Sequence, residues 1–290
     1  MDTKKIILWI AVIIVAGLSM AAVAVVISGH TPGSPIPDNT VGRFTAAVDE
    51  ERVFPADGIN DIQVKTVSSD INIIAAEVPE IKAHLYGKTV SGVSGPVVEL
   101  AAQTRGSILT VEAKHRPNTS LFGNTSVTLD IYVPDSYSED IRLQTVSGDI
   151  AVSSPQFDRL NAKSISGDIE TISLDTTETI IETTSGRVRL RDFTGKLDFE
   201  SISGSLDAQY NTFSSDIRGK TVSGSIELEL PDDAAFTLEA STVSGNIDCR
   251  FPVTVTGSLS KRYLTGTVGS GDNNIILETV SGSTRIYSRQ

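Results

Sequence analysis

The sequence predicts an all-β protein: a parallel β-solenoid with coils of about 20 residues, a strand-rich N-terminal part and one preceding transmembrane helix. A seven-residue segment centred on Ser-Gly occurs seven times, from QTVSGDI at residue 144 to ETVSGST at residue 278. The motif serines from Ser147 to Ser244 are spaced by 19, 19, 18, 20 and 21 residues. Alternating apolar residues flank each copy. A fixed period near 20 residues indicates stacked units, because one unit cannot bury its apolar face alone.

Residues 1–28 are predicted to anchor the chain in a membrane. The stretch Ile6–Ile27 contains no charged residue, and about 20 apolar residues suffice for a spanning helix. Lys4 and Lys5 precede it, which places the N-terminus in the cytoplasm and the rest of the chain outside the cell membrane. A cleaved signal peptide is the alternative, since the sequence AAVA that ends at Ala24 resembles a cleavage site.

Two parts follow a predicted linker, residues 29–45, which is rich in proline, glycine and serine. Residues 46–139 contain short alternating runs such as DIQVKTV and VTLDIYVP, which predict strands of about 5–7 residues. Residues 140–290 carry the clear copies of the repeat and form the predicted solenoid. The sequence TVSSDI from Thr66 to Ile71 matches the repeat and predicts an earlier copy.

Each repeat unit is predicted to form one coil: a strand, a corner, a second strand and a loop. In the first clear unit the apolar residues Ile141 and Leu143 alternate with polar ones and face inward. Thr145 and Val146 are neighbours that both belong to the inward set, so the chain must turn there. The small hydroxyl of Thr145 suits a corner, because it can bond to backbone groups that the bend frees.

The Ser-Gly pair of each corner is predicted to be structural. Glycine faces a narrow interior or adopts a backbone conformation that other residues avoid, whereas serine faces out. A serine nucleophile needs a base, and the repeats contain no histidine. The predicted structural residues are Thr145, Ser147, Gly148, Ser166, Gly167, Ser185, Gly186, Ser203, Gly204, Ser223, Gly224, Ser244, Gly245, Ser281 and Gly282.

Composition and spacing argue against several functions. A net charge of −12 gives no attraction for nucleic acid. One cysteine, Cys249, and three scattered histidines lack the spacing of a metal site, so no metal or cofactor is expected. Asp149 and Asp168 are the sharpest candidates for chemistry, since on adjacent coils they would lie about 5 Å apart, as in a retaining glycosidase. The alternative is that they only solvate an outward face.

The chain resembles a family of proposed adhesins, also catalogued as domain of unknown function 4097. The resemblance rests on the membrane anchor, the lead-in that ends in LDIYVPDS, the tandem TVSGD-like coils and the late GSGDNNIILETVSG. It covers roughly Val48 to Tyr287, and it implies an all-β, solenoid-like envelope domain without catalytic residues. Thr184, Arg187 and Thr284 depart from the pattern. Thr284 is expected to mark the last coil as a terminal cap.

The expected function is binding or scaffolding in the cell envelope by a membrane-tethered extracytoplasmic solenoid. The N-terminal helix would contact the membrane, and the ligand would be an envelope polymer or another membrane protein. Two alternatives stay open. One is a carbohydrate-active β-helix enzyme, and the other is an envelope-stress regulator that acts through partner proteins.

Overall fold

The computed structural model describes residues 44–91, 95–116, 126–153, 156–255 and 260–289, which form 22 β-strands and no α-helix. Within these residues, no helix is long and apolar enough to cross a membrane. The predicted anchor and most of the predicted linker lie outside the described residues. The strands are β1 (Phe44–Pro55), β2 (Asp61–Lys65), β3 (Asp70–Ala76), β4 (Glu80–Ser91), β5 (Val98–Arg105), β6 (Ile108–His115), β7 (Ser126–Pro134), β8 (Asp140–Thr145), β9 (Ile150–Ser153), β10 (Gln156–Ser164), β11 (Ile169–Ile172), β12 (Asp175–Thr183), β13 (Arg187–Ser201), β14 (Ser205–Tyr210), β15 (Ile217–Thr221), β16 (Ile226–Leu230), β17 (Phe236–Thr242), β18 (Ile247–Cys249), β19 (Thr254–Val255), β20 (Tyr263–Val268), β21 (Asn273–Thr279) and β22 (Thr284–Ser288).

The strands form two sheets around one apolar core. Sheet A has the spatial order β1-β4-β7-β3-β9-β11-β13-β14-β16-β22-β18. Sheet B has the order β5-β6-β2-β8-β10-β12-β13-β15-β21-β17-β20-β19. The long strand β13 passes from one sheet to the other. Its first half pairs in sheet A and its second half in sheet B.

Each coil places one strand in sheet B, turns a corner and places the next strand in sheet A. β8 and β9 form such a coil, and both pair in parallel with the next coil, for example through Ile141 with Leu160 and Ile150 with Ile169. These four side chains are buried, whereas Arg142, the residue after Ile141 in β8, is exposed. The predicted order of strand, corner and strand is confirmed, as is the inward face before the corner.

The parallel stack extends into the N-terminal part of the chain. β2 ends just before the TVSSDI copy and β3 begins within it, and these strands pair in parallel with β8 and β9. On their other side lie β6 and β7. Both sheets are therefore continuous across the predicted boundary between residues 139 and 140.

The prediction that the last coil caps the stack is wrong. β21 lies between β15 and β17, and β22 lies between β16 and β18. Thr284 pairs with Ile226 on one side and with Ile247 on the other, and it is fully buried. This coil keeps the inward residues of its neighbours, such as Ile275 and Leu277, so it fits inside the stack. The end is instead formed by β17 and β18.

Antiparallel strands flank the parallel stack at both ends. At one end β4 runs along β7, β1 along β4, and β5 along β6. At the other end β20 runs along β17, and β19 along β20. The two ends of the stack therefore depart from the repeat, whereas its middle follows it.

Candidate functional site

A buried hydroxyl accepts a backbone hydrogen bond at the corner of four coils, at the position the sequence predicts. The backbone N–H of Gly148 donates to Thr145 Oγ1 at 3.0 Å, and that of Gly167 donates to Ser164 Oγ at 2.8 Å. The same bond recurs from Gly204 to Ser201 at 2.6 Å and from Gly224 to Thr221 at 3.0 Å. The hydroxyl thus satisfies a buried donor that the bend would leave unpaired.

The corner glycines are required by the neighbouring coil. A Cβ atom on Gly167 would lie well under 3.0 Å from the carbonyl oxygen of Gly148, and one on Gly148 would lie as close to the carbonyl oxygen of Ser69. The same conflict occurs at Gly186, Gly204, Gly224, Gly245 and Gly282. Of the seven motif glycines only Gly186 has a positive φ, 132°. Glycine is therefore required at these seven positions because the backbone of the neighbouring coil approaches closely. Crowding of the interior and an unusual φ, which the sequence suggested, are not the reason.

The motif serines lie on the outside of the corner. Ser185 is half-buried, and the other six are exposed. Ser166 donates its backbone N–H to the carbonyl oxygen of Val146 at 3.0 Å, and its hydroxyl donates to the same oxygen at 3.3 Å. Ser147 makes the same two bonds to Val67, at 2.9 and 3.2 Å. These serines therefore continue the hydrogen bonding between coils around the bend.

The residue before each motif serine is not inward, contrary to the prediction. Val146 and its equivalents are half-buried, and Val243 is 39% exposed. The buried Thr145 already fills the inside of the bend, so Val146 and Ser147 both lie on its outer side. The chain turns across these two residues and points inward again at Gly148.

Asp149 and Asp168 lie at equivalent positions of adjacent coils, but each carboxylate accepts a backbone hydrogen bond. Asp168 N–H donates to Asp149 Oδ1 at 2.8 Å, and Arg187 N–H donates to Asp168 Oδ1 at 2.7 Å. In the same way Asp149 N–H donates to Asp70 Oδ1 at 2.9 Å. The guanidinium of Arg189 lies 3.7 Å from Asp168 Oδ2. The aspartates thus link one coil to the next.

A row of charged residues crosses the outer face of sheet B. Lys163 Nζ lies 2.7 Å from Glu182 Oε1. Glu200 follows Glu182 in the row, and burial raises its pKa. Lys220 Nζ lies 3.4 Å from Glu278 Oε2, and burial lowers the pKa of Lys220. Most charges of this row are thus paired within the protein.

Sequence reasoning missed a cluster on the outer face of sheet A, near the N-terminal end of the stack. We call it the aromatic grid. Cross-strand pairs join His84 with Asp130 and Lys82 with Tyr132 between β4 and β7, and β3 joins Asn72 to Asp130. The grid consists of Asn72, Lys82, His84, Tyr86, Asp130 and Tyr132.

The rings of the grid are accessible. Those of His84 and Tyr86 stack with their centroids 4.8 Å apart and their planes at 31°. Tyr86 is 37% exposed, and Tyr132 is half-buried. Lys82 Nζ lies 4.5 Å from the centre of the Tyr132 ring, which is within range of a cation–π interaction. This face therefore offers aromatic surface to solvent.

Asp130 positions the grid. It is 6% exposed; its Oδ1 accepts a hydrogen bond from Asn72 Nδ2 at 2.8 Å, and its Oδ2 accepts one from the Tyr132 hydroxyl at 3.4 Å. Burial and the Asp130 carboxylate raise the pKa of Tyr86, so the Tyr86 hydroxyl stays protonated at neutral pH. His84 Nε2 lies 2.8 Å from Asp49 Oδ1 on β1.

A signal for the grid exists in the sequence. Lys82, His84 and Tyr86 alternate with buried Ala83 and Leu85, so they share an outward face. The same alternation puts Asp130 and Tyr132 outward on β7. Only the antiparallel register of β4 with β7 brings the two groups together, and the spacing of the repeats does not contain that register.

These features define an all-β, solenoid-like domain with a hydrogen-bonded scaffold and one aromatic outer face. The profile of the Toastrack DUF4097 family matches residues 59–287, and the chain belongs to this family. The resemblance found in the sequence is thereby confirmed. No curated protein matches the chain.

The solved structures that match this chain are distant from it in sequence. A proposed cell adhesion protein from Clostridium sporogenes is 14% identical, with 84% of this chain and 100% of that chain covered and a TM-score of 0.36. A proposed adhesin from Bacteroides fragilis is 13% identical, with 82% and 97% covered and a TM-score of 0.49. A proposed lipid-binding protein from Parabacteroides distasonis is 14% identical, with 83% and 97% covered and a TM-score of 0.37.

Proposed function

We propose that the protein is a membrane-tethered, extracytoplasmic module that acts by binding and scaffolding in the cell envelope, and that it is not an enzyme. One observation carries this proposal. The polar groups of the repeat are used in bonds between coils, as at Asp149 and Asp168, whereas the aromatic grid keeps exposed rings. Exposed aromatic and apolar surface on a rigid support is typical of recognition sites.

The tether is inferred from the residues before β1. Ile6–Ile27 has the length and composition of a spanning helix, and β1 begins at Phe44. The intervening residues 28–43 would reach at most about 55 Å when extended. Such a length would hold the solenoid near the outer surface of the membrane while leaving its sheet faces accessible.

Two measurements on the full chain test this function. Protease added to cells stripped of any outer barrier should digest the solenoid, because Lys4 and Lys5 place the N-terminus inside. The purified protein in detergent should bind isolated cell-wall glycan or co-purify with a membrane protein, without cleaving the glycan. Protection of the solenoid from protease would contradict the localisation. Absence of any bound polymer or partner would contradict the binding role.

A further inference from the structure

We propose that the aromatic grid binds a polysaccharide that carries free amino groups, with sugar rings lying on Tyr86 and Tyr132. This inference rests on the proposed binding function and names its ligand class and its site. Three properties of the face lead to it: the placement of the rings, their rigidity and the charge around them.

The rings are placed for an extended ligand. Tyr132 pairs with Lys82, which is four residues from Tyr86 on β4, so the two tyrosines lie about 13 Å apart along the strands. A single sugar ring would contact one of them, whereas a chain of sugars can contact both. The apolar C–H face of a pyranose packs on an aromatic ring, and its hydroxyls point to the sides, where Asn72 and Lys82 can meet them.

An apolar row crosses the sheet at Tyr132, roughly perpendicular to the line that joins the two tyrosines. Ile74 pairs with Tyr132 on one side and with Ser153 on the other, and Ile172 follows Ser153 and is 49% exposed. Val53, opposite Lys82 on β1, is 46% exposed. Exposed apolar surface of this kind marks an interaction site, and beside Tyr132 it widens the surface available to a sugar chain.

The rings are held in place before any ligand arrives. Asp130 bonds to Asn72 and to the Tyr132 hydroxyl, and the His84 ring stacks on Tyr86. Tyrosine has few rotatable bonds, so contacts to it cost little conformational entropy. A preorganised surface keeps more of its contact energy as affinity.

The charge of the face selects the ligand. On the outer faces of β1, β3, β4 and β7, the acidic residues outnumber the basic ones by three, with His84 neutral: the acids are Asp49, Glu51, Asp70, Glu80 and Asp130, and the bases are Lys82 and Lys88. The side chains of Asp49 and Glu51 are 82% and 51% exposed. Polymers that bear phosphate or carboxylate groups are repelled by such a face, whereas amino groups are attracted. The net charge of the whole chain, −12, has the same sign.

Calorimetric titration of the full chain in detergent tests the site. The probes are a glucosamine hexasaccharide, its fully N-acetylated counterpart, and poly-lysine of matched charge. We expect the amine-bearing hexasaccharide to bind about tenfold more tightly than the acetylated one or poly-lysine. Tyr86→Ala with Tyr132→Ala should weaken this binding at least about tenfold, whereas Asp49→Asn with Glu51→Gln should remove the preference for the amine. Tyr287→Ala, which removes a ring from the same outer face at β22, should bind as wild type does.

Three results would overturn the inference. The first is unchanged binding by the double tyrosine variant, with circular dichroism showing that it is folded. The second is equally tight binding of poly-lysine, which would indicate charge alone. The third is a wild-type protein that binds neither hexasaccharide. If that protein still retains a wall glycan or a membrane partner, only the ligand assignment fails and the proposed function stands.

Discussion

The middle of the stack and its N-terminal end share the same two sheets, yet their outer faces differ in chemistry. In the middle, outward charges pair with the next coil, as Lys163 does with Glu182. At the N-terminal end, outward positions carry the rings of His84, Tyr86 and Tyr132. The polar groups of the repeat therefore bond to neighbouring coils and stabilise the stack. The antiparallel strands that depart from the repeat leave aromatic rings exposed on the outer face.

The largest contrast between the two regions concerns their glycines. Gly167→Ala should unfold the protein or cost more than about 3 kcal/mol, because its Cβ collides with the backbone of the adjacent coil. Gly106→Ala, in the turn between β5 and β6, meets open space but has φ +61°, so it should cost about 1–2 kcal/mol. Thermal unfolding followed by circular dichroism compares the two. Equal losses would show that the glycine column is not set by coil stacking.

The next contrast concerns a buried residue at the start of β16 and the residue that precedes it. Ile226 is fully buried, so Ile226→Asp should bury an unpaired charge at a cost of several kcal/mol and yield aggregated or unfolded protein. The matched control Ser225→Asp, one residue earlier and half-exposed, should fold with a loss of less than about 1 kcal/mol. Soluble yield and denaturant unfolding report the difference. Similar behaviour of both variants would contradict the inward face assigned to β16.

The smallest effect concerns Glu200 in the charged row. Its pKa in the folded protein is raised by burial, so the folded state binds more protons than the unfolded state just above pH 4.5. Stability is therefore lost as the pH rises through the raised pKa. Glu200→Gln should remove this loss and stabilise the protein at pH 7 by about 0.5 kcal/mol, with no gain below pH 4.

The matched control for Glu200 is Glu178→Gln on the same sheet. Glu178 Oε1 lies 2.7 Å from Lys196 Nζ, so this variant should lose about 0.5 kcal/mol at pH 7. Unfolding midpoints measured from pH 4 to pH 8 separate the two variants. A stabilising effect of both changes would indicate general relief of negative charge rather than burial of Glu200.

The sequence predicts the middle of the stack because each structural requirement there recurs at the same position of every repeat. The corner hydroxyl of Thr145, the alternation before it and the small residue at Gly148 all follow from stacking, and all occur at every coil. The order in which the coils stack in space cannot be predicted from these columns. The coil around Ser281 carries the same inward residues as its neighbours, so its sequence fits any level of the stack.

The grid was missed for a related physical reason. A single outward tyrosine such as Tyr132 does not indicate a surface cluster until its neighbour on the adjacent strand is known. That neighbour, Lys82, depends on the antiparallel register of β4 with β7, which long-range packing decides. Val146 was misplaced because the sequence shows that it is apolar but not on which side of the bend it lies.

The central claim is that the repeated corner is a support and not a catalytic site. Hydrolysis of cell-wall glycan by wild-type protein and by the Asp149→Asn, Asp168→Asn double variant tests it most directly, with circular dichroism as the folding control. We expect no hydrolysis by either protein and near-wild-type stability of the variant, because an asparagine oxygen can still accept the N–H of the next coil. Cleavage by wild type that disappears in the folded double variant would contradict the claim, because loss of a general acid or base lowers a rate by about 10²–10⁴.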